Sequence, residues 1–242
     1  MKAVVLAAGK GTRLRPLTLE KPKPLLDLGG QPIIETIVRQ LVFFGFDDIT
    51  VTSSYLSEKI EEYLPKLAAV LPKQITLRHE PQAKLMGTAG GLSSIAGLAD
   101  DGPFLVMNGD LISTMDFGAF MAYHRQHSPA LTIGRYPAVQ QIKLGILDVD
   151  NDGNVTNYRE KPEMTFPVSM GVYIYAPETL SYIPPAGWLD LPDLVLRLIN
   201  DGKQVATFPF EGYWLDVGTH DDFERANKAI REQRTMFLPD GA

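Results

Sequence analysis

The sequence predicts an α/β fold, a mixed, mostly parallel sheet flanked by helices, and three observations predict it. Apolar runs of strand length alternate with amphipathic segments of helix length over residues 1–130, the pattern of parallel strands joined by crossover helices. The runs are continuous, as in Lys2–Ala8 (KAVVLAA) and Pro103–Met107 (PFLVM), and strands covered on both faces read this way. Beyond residue 130 strand-like pieces follow one another across short turns, so hairpin pairing enters the same sheet.

Taken in order, Lys2–Ala8 is the first strand, and Gly9 and Gly11 punctuate its end. Gln31–Gly45 sets Ile33, Ile34, Ile37, Val38, Leu41 and Val42 at helical spacing, with Gly45 as the stop. Asp48–Ser53 reads as a second strand, Glu58–Leu64 as a short helix, Ile75–His79 as a third strand and Thr88–Leu98 as a helix. Pro103–Met107 is the fourth strand and carries Asn108-Gly109-Asp110 at its C-terminal end; Asp116–His127 is an amphipathic helix. Ala130–Arg135, Gly145–Asp150, Val155–Glu160 and Val168–Tyr175 read as strands, with Asp150-Asn151-Asp152-Gly153-Asn154 as a hairpin turn. Leu191–Asn200 and His220–Gln233 are helical. No internal repeat or Ser/Gly-rich linker interrupts the chain, so a single domain over 1–242 is expected, its halves (1–130 and 131–235) sharing one sheet.

Composition excludes several classes. The chain has no Cys, which rules out disulfides and thiolate zinc sites and suits a reducing cytosol. A net charge of −6 without a basic stripe argues against nucleic acid. Lys10 and Arg13 cut the first apolar run short, and no stretch approaches the ~20 apolar residues of a membrane span. A cytoplasmic protein with no membrane partner is expected.

In open α/β sheets ligands bind beyond the C-terminal strand ends. Gly9–Arg13 and Asn108–Asp110 both lie at such ends and are expected to face one crevice. The first segment runs Leu6-Ala7-Ala8-Gly9-Lys10-Gly11-Thr12-Arg13, followed by Lys21-Pro22-Lys23-Pro24. Glycines after a strand let backbone N–H groups approach phosphate oxygens. Arg13 suits bidentate phosphate binding, and Lys23 is a compact positive charge stiffened by prolines on both sides. The string is neither a P-loop nor a dinucleotide fingerprint, because the first needs a Gly-Lys-Ser/Thr end and the second has Leu14 in its last glycine position. Asp110 and Asp216, the latter in Tyr-Trp-Leu-Asp-Val-Gly, are carboxylates of the kind that Mg²⁺ uses beside phosphate oxygens. Gln82 has the donor and the acceptor that a base edge requires. Each residue also has an ordinary reading: a turn or cap for Asp110, a strand end for Asp216, Glu160 and Lys161, a loop amide for Gln82. His79, His124, His127 and His220 fall in no metal-ligand spacing and are read as structural or surface residues.

Gly-x-Gly-Thr-Arg followed by Pro-Lys-Pro resembles the signature of the sugar 1-phosphate nucleotidylyltransferases. The resemblance continues in the family's order through Gly87-Thr88-Ala89-Gly90-Gly91, Asn108-Gly109-Asp110, Glu160-Lys161-Pro162 and Trp214-Leu215-Asp216-Val217-Gly218, over nearly the whole chain. It implies a single-domain Rossmann-like fold of the nucleotide-diphospho-sugar transferase type. It also implies an enzyme that condenses an NTP with a sugar 1-phosphate to give an NDP-sugar and pyrophosphate. Arg13, Lys23 and Asp110 would be catalytic, and Asp110 and Asp216 would hold Mg²⁺. Leu6, Ala8, Gly9, Gly11, Thr12, Arg13, Lys23, Gln82, Gly87, Thr88 and Asn108 would bind the nucleotide, with glycines 87 and 90 letting backbone groups meet the base. Gly145, Glu160, Lys161, Ser169 and Gly171 would bind the sugar phosphate. Ser169 departs from the asparagine that many members carry there, and a shorter hydroxyl reaches less far.

The Gly-Thr-Ala-Gly loop is most similar to members using GTP with mannose- or heptose-type 1-phosphates. Uridylyl, thymidylyl or cytidylyl transfer to another sugar phosphate stays open, as does a non-catalytic nucleotide-sugar sensor. The implied partners are the two substrates and, at most, a second copy of the chain in a homo-oligomer. Only 22 residues follow His220, so the C-terminal β-helix domain of some relatives is not expected.

Overall fold

The computed structural model describes residues 1–185 and 187–238. In chain order the strands are β1 (Lys2–Ala7), β2 (Asp27–Leu28), β3 (Gln31–Pro32), β4 (Asp48–Ser53), β5 (Thr76–Pro81), β6 (Phe104–Asn108), β7 (Leu111–Ser113), β8 (Leu131–Gln141), β9 (Ile146–Val149), β10 (Val155–Arg159), β11 (Glu163–Tyr175), β12 (Val205–Pro209) and β13 (Trp214–Asp216). The helices are α1 (Ile33–Phe43), α2 (Ser57–Ala68), α3 (Gly87–Gly90), α4 (Phe117–His127), α5 (Leu191–Asn200), α6 (His220–Glu232) and α7 (Arg234–Phe237).

Seven strands form one sheet in the order β12-β8-β11-β6-β1-β4-β5. Four of its pairings are parallel and two, both made by β11, are antiparallel. The sheet is therefore mixed and mostly parallel, and it runs through both halves of the chain. Each face buries its own core. On one, α1, α2, α4 and α6 supply Ile33, Ile60, Phe120 and Ile230, all with no exposed surface. On the other, Leu194 and Leu198 of α5 cover Val4, Val106 and Tyr175. Period-2 alternation decides which face a strand residue joins, so Val4 and Val5 of the same strand lie in different cores.

One expectation is corrected. Thr88–Leu98 is not one helix: α3 stops at Gly90, and Gly91–Ser94 is a 3-10 turn. The Gly90-Gly91 pair offers little helix propensity, and the α3 N–H groups of Ala89 and Gly90 bond Leu189 O instead. The strand β12 carries no clear sequence signal, since it lies at the sheet edge, is partly exposed and ends in Pro209. The hairpin turn at Asp150–Asn154 is present and joins β9 to β10, which pair antiparallel as a ribbon outside the main sheet.

Candidate active site

Short elements, rather than the long strands, assemble the charged centre. β7 leaves the end of β6 and pairs antiparallel with β13, setting Leu111 opposite Asp216. Val217 N donates to Asp110 O at 3.0 Å, which extends that ladder by one bond. Two carboxylates a hundred residues apart in sequence are thereby brought together. Lys23 opens a 3-10 turn between Pro22 and Pro24 and is only 8 % exposed. Its Nζ lies 2.5 Å from Asp110 Oδ2 and 3.5 Å from Asp216 Oδ1. Burial, then the charge of Asp110, pushes the Asp216 carboxyl above its usual range, while Lys23 and Arg13 pull it back. The guanidinium of Arg13 lies flat against Gly218, where an added Cβ would sit 3.2 Å from its terminal nitrogens.

Among the described residues no group of three or more His, Cys, Asp or Glu is arranged to hold a metal ion. The donor set here is two carboxylates, and Asp110 Oδ1 is buried with no hydrogen-bond partner. A Mg²⁺ site completed by phosphate and water would ask one or two carboxylates of the protein, so the residues fit one.

Beside the charged centre opens a cavity of about 310 Å³. Of the sequence-predicted nucleotide residues, Leu6, Ala8, Gly9, Gln82, Gly87, Thr88 and Asn108 line it, and so does Asp110. Gly11, Thr12, Arg13 and Lys23 lie outside that lining. Gln82 is buried, held by its N–H on Ser53 O at 2.6 Å, and its amide packs against Gly91. Glycines 87 and 90 also have close protein neighbours. An added Cβ would lie 2.4 Å from Leu189 O at Gly87 and 2.5 Å from Gly187 O at Gly90. These glycines admit the backbone of residues 187–189.

The acceptor-side residues fall in two groups. Gly171 takes φ +75° at the β11 irregularity, and an added Cβ would lie 2.6 Å from Asn108 Nδ2, so the backbone of β11 runs close beside the side chain at the end of its neighbour β6. Gly171 N donates weakly to Ser169 Oγ at 3.4 Å, and Ser169 Oγ shares a 3.0 Å hydrogen bond with Tyr173 Oη. Gly145, Glu160 and Lys161 stand together at the foot of the β9–β10 ribbon and are exposed. Tyr158 Oη donates to Glu160 Oε2 at 2.8 Å, and Lys161 Nζ lies 3.6 Å from Glu160 Oε1. Lys161 has φ +44°, a costly conformation for a side chain of its shape and one that clusters at functional sites.

Sequence reasoning missed Tyr158 and Tyr173, whose roles need the ribbon and the β11 register to be known. It also missed Thr52 and Asp190 as cavity residues, while Trp188, read from the sequence as loop packing or part of an acceptor-side lid, lines the cavity. Among the histidines, His124 is buried with Nδ1 2.8 Å from Thr132 Oγ1, and His220 Nε2 lies 2.9 Å from Arg15 O.

The chain is 31 % identical over 99 % of its length to a UTP–glucose-1-phosphate uridylyltransferase of Synechocystis, covering 66 % of that protein. It is 32 % identical over 92 % of its length to the mannose-1-phosphate guanylyltransferase catalytic subunit beta of Dictyostelium discoideum, covering 62 % of it. It is 34 % identical, with the same two coverages, to a mannose-1-phosphate guanyltransferase of Schizosaccharomyces pombe. The chain thus spans a little under two thirds of these relatives. In fold it superposes on HddC from Yersinia pseudotuberculosis with a TM-score of 0.70 at 24 % identity, over 95 % of this chain and 99 % of that one. The profile described as Nucleotidyl transferase matches residues 2–233. That match begins at β1, takes in the loop, both carboxylates and the ribbon, and ends just past α6; the chain belongs to the nucleotidyl transferase family.

Proposed function

We propose that this chain joins an NTP to a sugar 1-phosphate, releasing an NDP-sugar and pyrophosphate, with GTP and a mannose- or heptose-type 1-phosphate as the favoured pair. The observation that carries the reading is Lys23 set between Asp110 and Asp216 at the edge of a cavity lined by the glycine loop and Gln82. The mannose-1-phosphate guanylyltransferases among the relatives support the choice of pair.

A phosphate oxygen of the sugar phosphate forms a bond to the α-phosphorus of the NTP. The bond from that phosphorus to the bridging oxygen breaks, and pyrophosphate leaves opposite. A phosphate monoester has a second pKa near ~6, so it is largely dianionic at pH 7 and needs no general base. What the site must do is hold two polyanions in line and offset their repulsion. Arg13 takes the leaving pyrophosphate, Lys23 the α-phosphate and attacking oxygen, and Lys161 the acceptor phosphate. Gln82 faces the base, and Glu160, oriented by Tyr158, accepts from sugar hydroxyls. Asp110 and Asp216 are the residues that would hold Mg²⁺, which supplies charge neutralisation when bound.

A panel of four NTPs against several sugar 1-phosphates, with Mg²⁺ and a pyrophosphate readout, tests this. Release with GTP and mannose 1-phosphate above all other pairs is expected. Release with no pair overturns the transfer; a preference for UTP with glucose 1-phosphate overturns the choice of pair alone.

A further inference from the structure

Residues 187–191 come from the acceptor half of the chain, yet they are bolted to the loop at 86–91. Leu189 O accepts from Ala89 N and Gly90 N, both at 3.0 Å, and Leu189 N donates to Met86 O at 3.0 Å. Thr88 N donates to Asp190 Oδ1 at 3.0 Å, and Leu191 N to Thr88 Oγ1 at 2.8 Å. This segment is therefore a fixed wall rather than a loose loop, and Trp188 and Asp190 present their side chains to the cavity.

We propose that Trp188 and Asp190 read the acceptor sugar and select a neutral sugar 1-phosphate over an acidic one, an inference that rests on the transfer reading above. Trp188 is 62 % exposed, and its Nε1 donates to Asp190 Oδ2 at 3.0 Å. With its one polar atom satisfied, the indole offers a held apolar face. The C–H face of a pyranose matches such a surface. Asp190 Oδ1 accepts from Thr88 N and, at 3.4 Å, from Thr88 Oγ1, whereas Oδ2 accepts from Trp188 Nε1 and keeps a further lone pair for a sugar hydroxyl. A carboxylate accepts from hydroxyls and repels phosphate and carboxylate, so it suits the sugar ring and not the triphosphate. Asn108 lines the same cavity and packs against Gly171, which carries the cavity to the acceptor side of the sheet.

The test is steady-state kinetics of the wild type, Trp188→Ala, Trp188→Phe and Asp190→Asn. The assay uses the best NTP and neutral sugar 1-phosphate from the panel, with glucuronic acid 1-phosphate as the acidic probe. Trp188→Ala should raise the sugar-phosphate KM about tenfold, the worth of one aromatic contact, and leave the NTP KM within about twofold. Trp188→Phe should restore most of the loss. Asp190→Asn should narrow the preference for the neutral probe by about tenfold. Because Asp190 also braces Thr88, NTP affinity of each variant is measured by calorimetry alongside. An effect confined to NTP affinity, or variants indistinguishable from an active wild type, overturns the inference. A wild type that releases no pyrophosphate with any pair brings down the transfer reading instead.

Discussion

Replacing Lys23 by alanine is the sharpest perturbation of the charged centre. It removes the one cation that, among the described residues, lies within 4 Å of both carboxylates, leaving Asp110 and Asp216 to face each other. Coulomb's law would make two contacts at 2.5 and 3.5 Å very large in a dry interior, but these carboxylates are 30 and 49 % exposed, and water screens them. The cost to folding is therefore expected to be about 1 to 2 kcal/mol, well below that of breaking a fully buried pair. The cost to turnover is larger, because a donor aimed at developing charge on phosphate acts only in the transition state. Loss of one such donor lowers kcat by roughly a hundredfold or more. Pyrophosphate release at saturating substrates measures kcat, and chemical denaturation measures the stability term. Lys23→Arg should also fail, since a larger planar guanidinium does not replace a compact ammonium that is buried and 2.5 Å from Asp110. A well-folded Lys23→Ala variant with near-normal kcat would refute the reasoning.

Asp110→Asn should shift the Mg²⁺ titration of activity upward by about tenfold or more, and an unchanged titration removes Asp110 from the metal site. Gly91→Ala would place a Cβ 1.9 Å from Gln82 Nε2, so the amide must move; the NTP KM should rise about tenfold with the sugar-phosphate KM unmoved, and equal shifts in both would contradict a base-facing Gln82. His124 is pushed down to about 4, chiefly by burial, with Arg125 adding to that and Glu178 opposing it. Between pH 6.5 and 4 the unfolded chain binds a proton there that the folded chain does not, so stability falls as pH falls, by about 2 kcal/mol at pH 5. Denaturation at pH 7 and pH 5 should show that loss in the wild type and a smaller one in His124→Gln; parallel losses would exclude His124 as the source.

The parts of the fold legible in the sequence are those whose burial is uniform along an element. Asp48–Ser53 and Leu191–Asn200 are bounded in the structure as their apolar patterns predict. Segments fixed by tertiary contact were opaque. Residues 88–98 show apolar spacing that suggests a helix, and it is Leu189 O that claims the backbone donors of Ala89 and Gly90. The site divides along the same line. Arg13, Lys23, Asp110 and Asp216 each have an ordinary reading alone, and stand out through the order of the motifs that carry them, which resembles a family's. Trp188 and Asp190 are one aromatic and one acid in a turn until the wall they stand on is seen, and no local pattern announces that wall.

The ladder between β7 and β13 also bears on how the molecule comes into being. Its three pairs join residues 111–113 to 214–216, so the carboxylate pair is a long-range contact of the kind that forms late. A chain emerging from the ribosome displays the glycine loop, Lys23 and Asp110 long before Asp216 exists. Until β13 docks, Asp110 stands at that site without Asp216, and on the proposed reading one carboxylate is a poor trap for a divalent ion. On the function proposed above, nucleotide phosphates would meet a full set of partners only on a molecule whose last third has already folded back onto β7.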